Sequence, residues 1–207
     1  ADIEAALALG PTHISWYQLT LEPNTVFHAR PPSGLPDDEE AWAIQDAGRV
    51  LLESSGFAQY EVSAWAQPGR RCRHNLNYWQ FGDYLAAGAG AHGKVTSAAS
   101  VLRYRKVANP LQYMQMMEAG EHGAKAEVPA DGDLLFEFML NALRLTDGFS
   151  EAMFVERTGL DIEDLFEAAA PVLADGLIGR SAEGTWRPTA LGKRFLDDLQ
   201  AEFLPAP

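Results

Sequence analysis

Apolar and polar positions alternate in segments along the chain, and each segment has recognisable ends. Residues 1–9 read as the end of a helix closed by Gly10-Pro11. Residues 12–21, Thr-His-Ile-Ser-Trp-Tyr-Gln-Leu-Thr-Leu, are rich in aromatic and β-branched residues and predict a strand ended by Pro23-Asn24. The proline-rich stretch 28–36 predicts a loop. Asp37-Asp38-Glu39-Glu40 places acidic groups where a helix start favours them. Trp42, Ile44, Ala47, Val50 and Leu51 then predict an amphipathic helix up to Gly56, followed by a strand from Tyr60 to Trp65. Strand, helix and strand at this spacing predict a βαβ unit and a parallel α/β sheet.

Further along, residues 67–74 predict a basic loop. Residues 85–93 predict a buried strand or turn of small residues, Val101–Lys106 an edge strand, and Pro110 the start of a helix ending near Gly120. The character changes after Pro129. Helices are predicted over 131–145, 150–158 and 161–175. Leu177–Arg180 and Thr185–Arg187 flank a Ser-Ala-Glu-Gly turn, a hairpin signal. Thr189 caps a last helix running to Phe203. Three helices, a hairpin and a helix make a winged-helix-like module. A boundary is expected near residue 125, giving domains over 1–125 and 126–207.

Composition narrows the function classes. The chain has 207 residues, 47% hydrophobic and 22% charged, ordinary for a globular protein of one large or two small domains. It holds no run of about 18 apolar residues, as a membrane helix needs. The start, Ala1-Asp2-Ile3-Glu4, carries neither an initiator Met nor a basic signal region, so the sequence is expected to be a piece of a longer protein. The net charge of −13 disfavours general binding to phosphate backbones. Residues 131–207 hold fifteen acidic against six basic residues, a net of −9, which argues against a winged-helix nucleic-acid binder. Arg70, Arg71, Arg73 and His74 form the densest basic patch. Cys72 is the single cysteine and reads as a plain thiol: it allows no intrachain disulfide and fits a reducing cytoplasm.

Three segments carry candidate chemistry. In Arg73-His74-Asn75-Leu76-Asn77-Tyr78-Trp79, positions i and i+4 share a face, so His74 and Tyr78 can approach one planar ligand while Trp79 walls it. Imidazole is a usual axial ligand of haem iron. A structural role, with polar groups capping the loop and aromatics filling core, fits the same spacing. In Gly88-Ala89-Gly90-Ala91-His92-Gly93 the glycines permit close approach to a ligand, or tight packing of a strand, but the spacing is not a dinucleotide fingerprint. In Tyr17–Thr25, polar Gln18, Thr20 and Glu22 share one strand face, as a functional strand end or a solvated edge would.

Together, His13-Ile14-Ser15 through Thr25, Gln59-Tyr60-Glu61-Val62-Ser63, and His74-Asn75-Leu76-Asn77-Tyr78-Trp79 through Gly93 resemble the HemW and HemN family of radical-SAM proteins. Residues 131–203 resemble that group's C-terminal module. The resemblance implies the C-terminal part of a partial (β/α) barrel followed by a mostly helical winged-helix-like domain. The H-N-x-x-Y-W hexapeptide is the family's proposed haem motif, which implies haem contacts at His74, Asn75, Tyr78 and Trp79. By position, Gln18, Thr20 and Leu21 with Gly88, Ala89, Gly90, Ala91 and His92 would line the cleft for S-adenosylmethionine (SAM). His74–Trp79 and His92 favour the haem-chaperone branch over the oxygen-independent coproporphyrinogen III oxidase branch, a decarboxylating enzyme; Ala86 stands where the pattern has glycine. The implied function is haem binding and delivery to acceptor proteins.

A [4Fe–4S] cluster needs three thiolates, which one cysteine does not supply, so the cluster belongs to the parent protein alone and this chain by itself is expected to be inactive as an enzyme. A barrel lacking its first strands leaves edges open, which predicts self-association.

Overall fold

The computed structural model describes residues 1–97, 100–121 and 123–205, so the last two residues of the expected 126–207 domain lie outside it. The chain divides into two compact units, Ala1–Cys72 and Arg73–Pro207, and the boundary expected near residue 125 falls inside the second.

The first unit runs α1 (Asp2–Ala8), β1 (His13–Ser15), α2 (Val26–Ala29), α3 (Asp38–Ser54), β2 (Ala58–Glu61) and β3 (Ala64–Ala66). The acidic run opens α3 as the sequence predicts. The Asp37 carboxylate accepts the Glu40 N–H at 2.9 Å, and the Glu40 carboxylate accepts the Asp37 N–H, a reciprocal capping box. The inward stripe of α3 differs from expectation. Ala41, Gly48 and Leu52 are buried, while Trp42, Ile44 and Val50 are exposed. Gly48 makes room for the Trp16 indole, which a Cβ there would overlap. Ile3, Ile14, Leu52, Phe57 and Trp65 form the core of this unit.

The pairing in this unit is antiparallel, not the parallel βαβ pairing that the sequence predicts. Tyr60–Trp65 is not one strand: the chain turns at Val62-Ser63, and β3 runs back antiparallel to both β2 and β1 in the order β1-β3-β2. β1 and β2 therefore share a direction, as strand–helix–strand requires, with β3 between them. The strand expected over 12–21 also shortens to His13–Ser15. Its partner β3 has only three residues, and the ladder ends where the Trp16 N–H donates to the Ser63 carbonyl.

The second unit begins with α4 (Arg73–Trp79), β4 (His92–Thr96), β5 (Val101–Lys106), α5 (Pro110–Glu118) and β6 (Ala124–Glu127). These strands form an antiparallel sheet in the order β4-β5-β6, so Val101–Lys106 is the central strand rather than an edge. The winged-helix-like part follows with α6 (Asp131–Ala142), β7 (Phe149–Ser150), α7 (Glu151–Thr158), α8 (Ile162–Ala174), β8 (Ile178–Arg180), β9 (Thr185–Pro188), α9 (Ala190–Arg194) and α10 (Leu196–Ala201). Ser150 caps α7 by accepting the Met153 N–H, and Thr189 caps α9, as the sequence signals, by accepting the Gly192 N–H. The single last helix becomes two because its halves pack on different targets. Gly192 in α9 lies against the Leu177 carbonyl, where a Cβ would overlap it, whereas Gln200 in α10 donates to the Leu140 carbonyl of α6 at 2.7 Å. The core centres on Phe138, whose ring meets Phe81, Phe149 and Phe154 edge-on at 5.6, 5.0 and 5.1 Å. Among the described residues no helix is long and apolar enough to cross a membrane.

Candidate functional site

The segment Arg73-His74-Asn75-Leu76-Asn77-Tyr78-Trp79 forms helix α4. In a helix, residues four apart stack on one face and adjacent residues diverge by about 100°. His74 and Tyr78 accordingly meet edge-on, with ring centroids 4.9 Å apart, and His74 is exposed. Tyr78 in turn packs against Tyr84 at 4.7 Å. The Tyr84 hydroxyl accepts a hydrogen bond from Arg103 at 2.8 Å, and Arg103 is ion-paired with Glu137 of α6. A continuous run of side chains thus ties the exposed histidine to the helical module.

Trp79 points elsewhere. The Arg144 guanidinium lies over its ring at 4.3 Å, and the buried indole Nε1–H has no hydrogen-bond partner among the described residues. Asn75 is half-buried. Arg73 opens α4 and is exposed. Arg70 and Arg71 close the first unit, where Arg71 lies over the Tyr60 ring at 5.8 Å and the Tyr60 hydroxyl bonds His13 Nε2 at 2.8 Å.

The end of α4 is held by an unusual turn. Phe81 has φ +54, a left-handed conformation that costs a residue with a side chain roughly 1 kcal/mol or more. The compensation is local: its ring is buried against Phe138, and its carbonyl accepts a hydrogen bond from Lys94 Nζ at 2.8 Å. Lys94 is almost wholly buried, with Nζ 4.2 Å from the Phe81 ring centroid, and it also donates to Asp83 and Thr96. Burial pushes the Lys94 ammonium below its ordinary pKa, although Asp83 opposes the shift. Burial raises the Asp83 carboxyl, but the Thr96 N–H and hydroxyl together with Lys94 outweigh it and leave the group below its ordinary value. Sequence reasoning missed Lys94, Asp83, Tyr84 and Arg103. Arg103 alone left a trace, in the alternation of β5.

Residues 88–91 form a loop rather than a strand. Gly88 and Gly90 take left-handed φ values of +96 and +72, and β4 starts only at His92. The loop is pinned where the Gly90 N–H donates to the Val107 carbonyl and the Ala86 N–H to the Tyr104 hydroxyl. Gly93 gives that tyrosine its place, since a Cβ there would overlap the Tyr104 ring. Gln18 and Thr20 are exposed and Leu21 is half-buried, in irregular chain after β1. They belong to the first unit and Gly88–His92 to the second.

The chain is similar to known proteins in sequence and in fold. The HemN C-terminal domain family matches residues 131–195. "Heme chaperone HemW" of Escherichia coli (strain K12) is 42% identical over 204 residues, covering 98% of this chain and 52% of the relative. The chain belongs to the HemW and HemN family. Its HemW relatives include one from Haemophilus influenzae, 42% identical with the same coverage, and one from Bacillus subtilis, 31% identical over 208 residues. The chain spans about half the length of the HemW proteins it matches. Its fold is similar to that of coproporphyrinogen III oxidase (HemN) from Escherichia coli, a radical SAM enzyme. The TM-score is 0.67 and the identity 17%, over 97% of this chain and 50% of that one.

Proposed function

We propose that this chain carries the haem-contacting part of a haem chaperone, with α4 as the contact element. The observation that carries this reading is the exposed His74 imidazole, braced edge-on by Tyr78 and fixed through Tyr84 to Arg103. An imidazole held in this way suits axial ligation of the iron of a haem cargo. Tyr78 would lie against the apolar macrocycle, Asn75 would face its edge, and Trp79 would hold the helix beside it. Arg73 would pair with a propionate by a charge-assisted hydrogen bond. The name shared by the relatives supports the same reading, and haem-acceptor proteins would be the partners.

The glycine turns at Gly88 and Gly90, with Ala89, Ala91 and His92, suit close approach to SAM in the intact protein. The residues of this chain do not fit a [4Fe–4S] cluster, since Cys72 is the single thiol. Cluster ligands would come from the half of the relatives' length that this chain does not span. A cytoplasmic setting agrees with a lone thiol, and the net charge of −13 disfavours a nucleic-acid partner.

The test is haem titration, followed by absorbance, of this chain and of a full-length form. A saturable Soret band near one equivalent is expected. Absence of saturable binding in both would contradict haem carriage.

A further inference from the structure

The β4-β5-β6 sheet carries two successive rungs of basic side chains on one face, and only one rung is neutralised. On the inner rung Lys94 pairs across to Arg103, and Arg103 to Glu127. Lys94 is salt-bridged to Asp83 and Arg103 to Glu137. On the outer rung His92 lies opposite Arg105, and Arg105 opposite Lys125. All three are exposed, and none has an ion pair among the described residues. Like charges directly opposite on adjacent strands destabilise a sheet. A chain of net charge −13 that nevertheless sets Arg105 against Lys125 has placed positive potential where a ligand can use it.

A concavity meets that rung. A cavity of about 680 Å³ is lined by Gly90, His92, Arg105 and Lys125, with Val107 and Met116 as apolar wall and Glu121 also on the lining. Its size lies in the range of small-molecule sites, about 300–1,000 Å³. Gly90 lines it in a left-handed conformation, which keeps the wall free of a side chain on that side. The guanidinium of Arg105 offers a planar fork to an oxyanion, and Lys125 adds a point charge beside it.

We propose that the His92–Arg105–Lys125 rung and its cavity form a binding site for a small multivalent oxyanion, a phosphate or carboxylate compound. Arg105 and Lys125 have no part in the haem or SAM assignments, and they set this site apart; Gly90 and His92 are shared with the SAM reading. Glu121 limits the ligand to one whose anionic end seats against Arg105 and Lys125.

Calorimetric titration of this chain with inorganic pyrophosphate and, separately, with citrate, at constant ionic strength, tests it. Saturable binding by either supports the site, and the stronger of the two shows whether phosphate or carboxylate chemistry is preferred. The double variant Arg105→Gln, Lys125→Gln is expected to weaken binding about 10-fold or more. The variant Arg30→Gln, Arg187→Gln, which removes two exposed cations elsewhere, is expected to leave it unchanged. Both pairs are exposed, and circular dichroism checks that each variant folds. No saturation by either anion at about 10 mM, a weak-binding limit, overturns the proposal. So does equal weakening by both double variants, which would mark a general charge effect.

Discussion

Lys94 donates a hydrogen bond from its buried ammonium to the carbonyl of Phe81, and Phe81 holds a left-handed backbone two residues past the helix that presents His74. A strained residue is thus secured by a buried charge on β4. If Lys94 is replaced by Met, of similar length, the Phe81 carbonyl and Asp83 lose a donor while the volume is kept. Buried groups left unpaired cost about 1–3 kcal/mol each, so Lys94→Met should destabilise the fold by about that amount in chemical denaturation. An unchanged midpoint would show that the network is not structural.

Phe81 itself separates packing from backbone strain. Phe81→Ala and Phe81→Gly both delete the ring that meets Phe138, and both should cost several kcal/mol, about 3–5 for alanine. Glycine alone relieves the positive φ, so Phe81→Gly should be more stable than Phe81→Ala by about 1 kcal/mol. Equal stability of the two variants would mean that the left-handed backbone costs nothing.

The acid limb of stability should report Asp83. Its carboxyl lies below its ordinary value of 3.8 in the fold, so the unfolded chain binds protons first as pH falls. Its contribution is fully present above that value and is lost as pH drops through the lower folded one. Asp83→Asn should therefore flatten the pH dependence of stability below about pH 4, read from denaturation midpoints at a pH series. Equal slopes for the variant and the native chain would contradict this.

The sequence made the caps legible, because capping is local. The acidic run at 37–40 and Thr189 name their helix starts unaided, and Ser181–Gly184 names its hairpin. The sheet of the first unit was not legible. Val62-Ser63 carries no glycine, proline or asparagine, so a strand pair reads as one strand and the pairing as parallel. The hidden half of the candidate site has a similar cause. Lys94 is one lysine among small residues, and its burial follows from Phe81, Asp83 and Thr96 converging from elsewhere in the chain. His74 and Tyr78 were legible as a pair because one helical turn brings them together.

Gly48 offers a test in which propensity and packing disagree in sign. Alanine is favoured over glycine inside a helix by about 1 kcal/mol. At Gly48 the added Cβ would overlap the Trp16 indole. Overpacking costs about 1–3 kcal/mol, so Gly48→Ala should be net destabilising, by thermal melting, in spite of propensity. A raised melting temperature would show that Trp16 moves aside freely.

Self-association follows from surface left uncovered. β1 and β2 are the outer strands of their sheet, and Tyr17, Trp42, Ile44 and Val50 of the same unit are exposed. Open edges and apolar surface favour pairing between copies. Sedimentation at micromolar concentration should show a dimer or larger assembly, and a single monomeric species would contradict this.

The most direct measurement of the central claim is the Soret spectrum of haem-loaded His74→Ala beside that of the native protein in its full-length form. Ligation by His74 predicts a shifted band and weaker haem binding in the variant, whereas Arg73→Ala should weaken binding and leave the band in place. An unchanged spectrum and an unchanged affinity in His74→Ala would show that His74 does not hold the iron, and would leave α4 a purely structural helix.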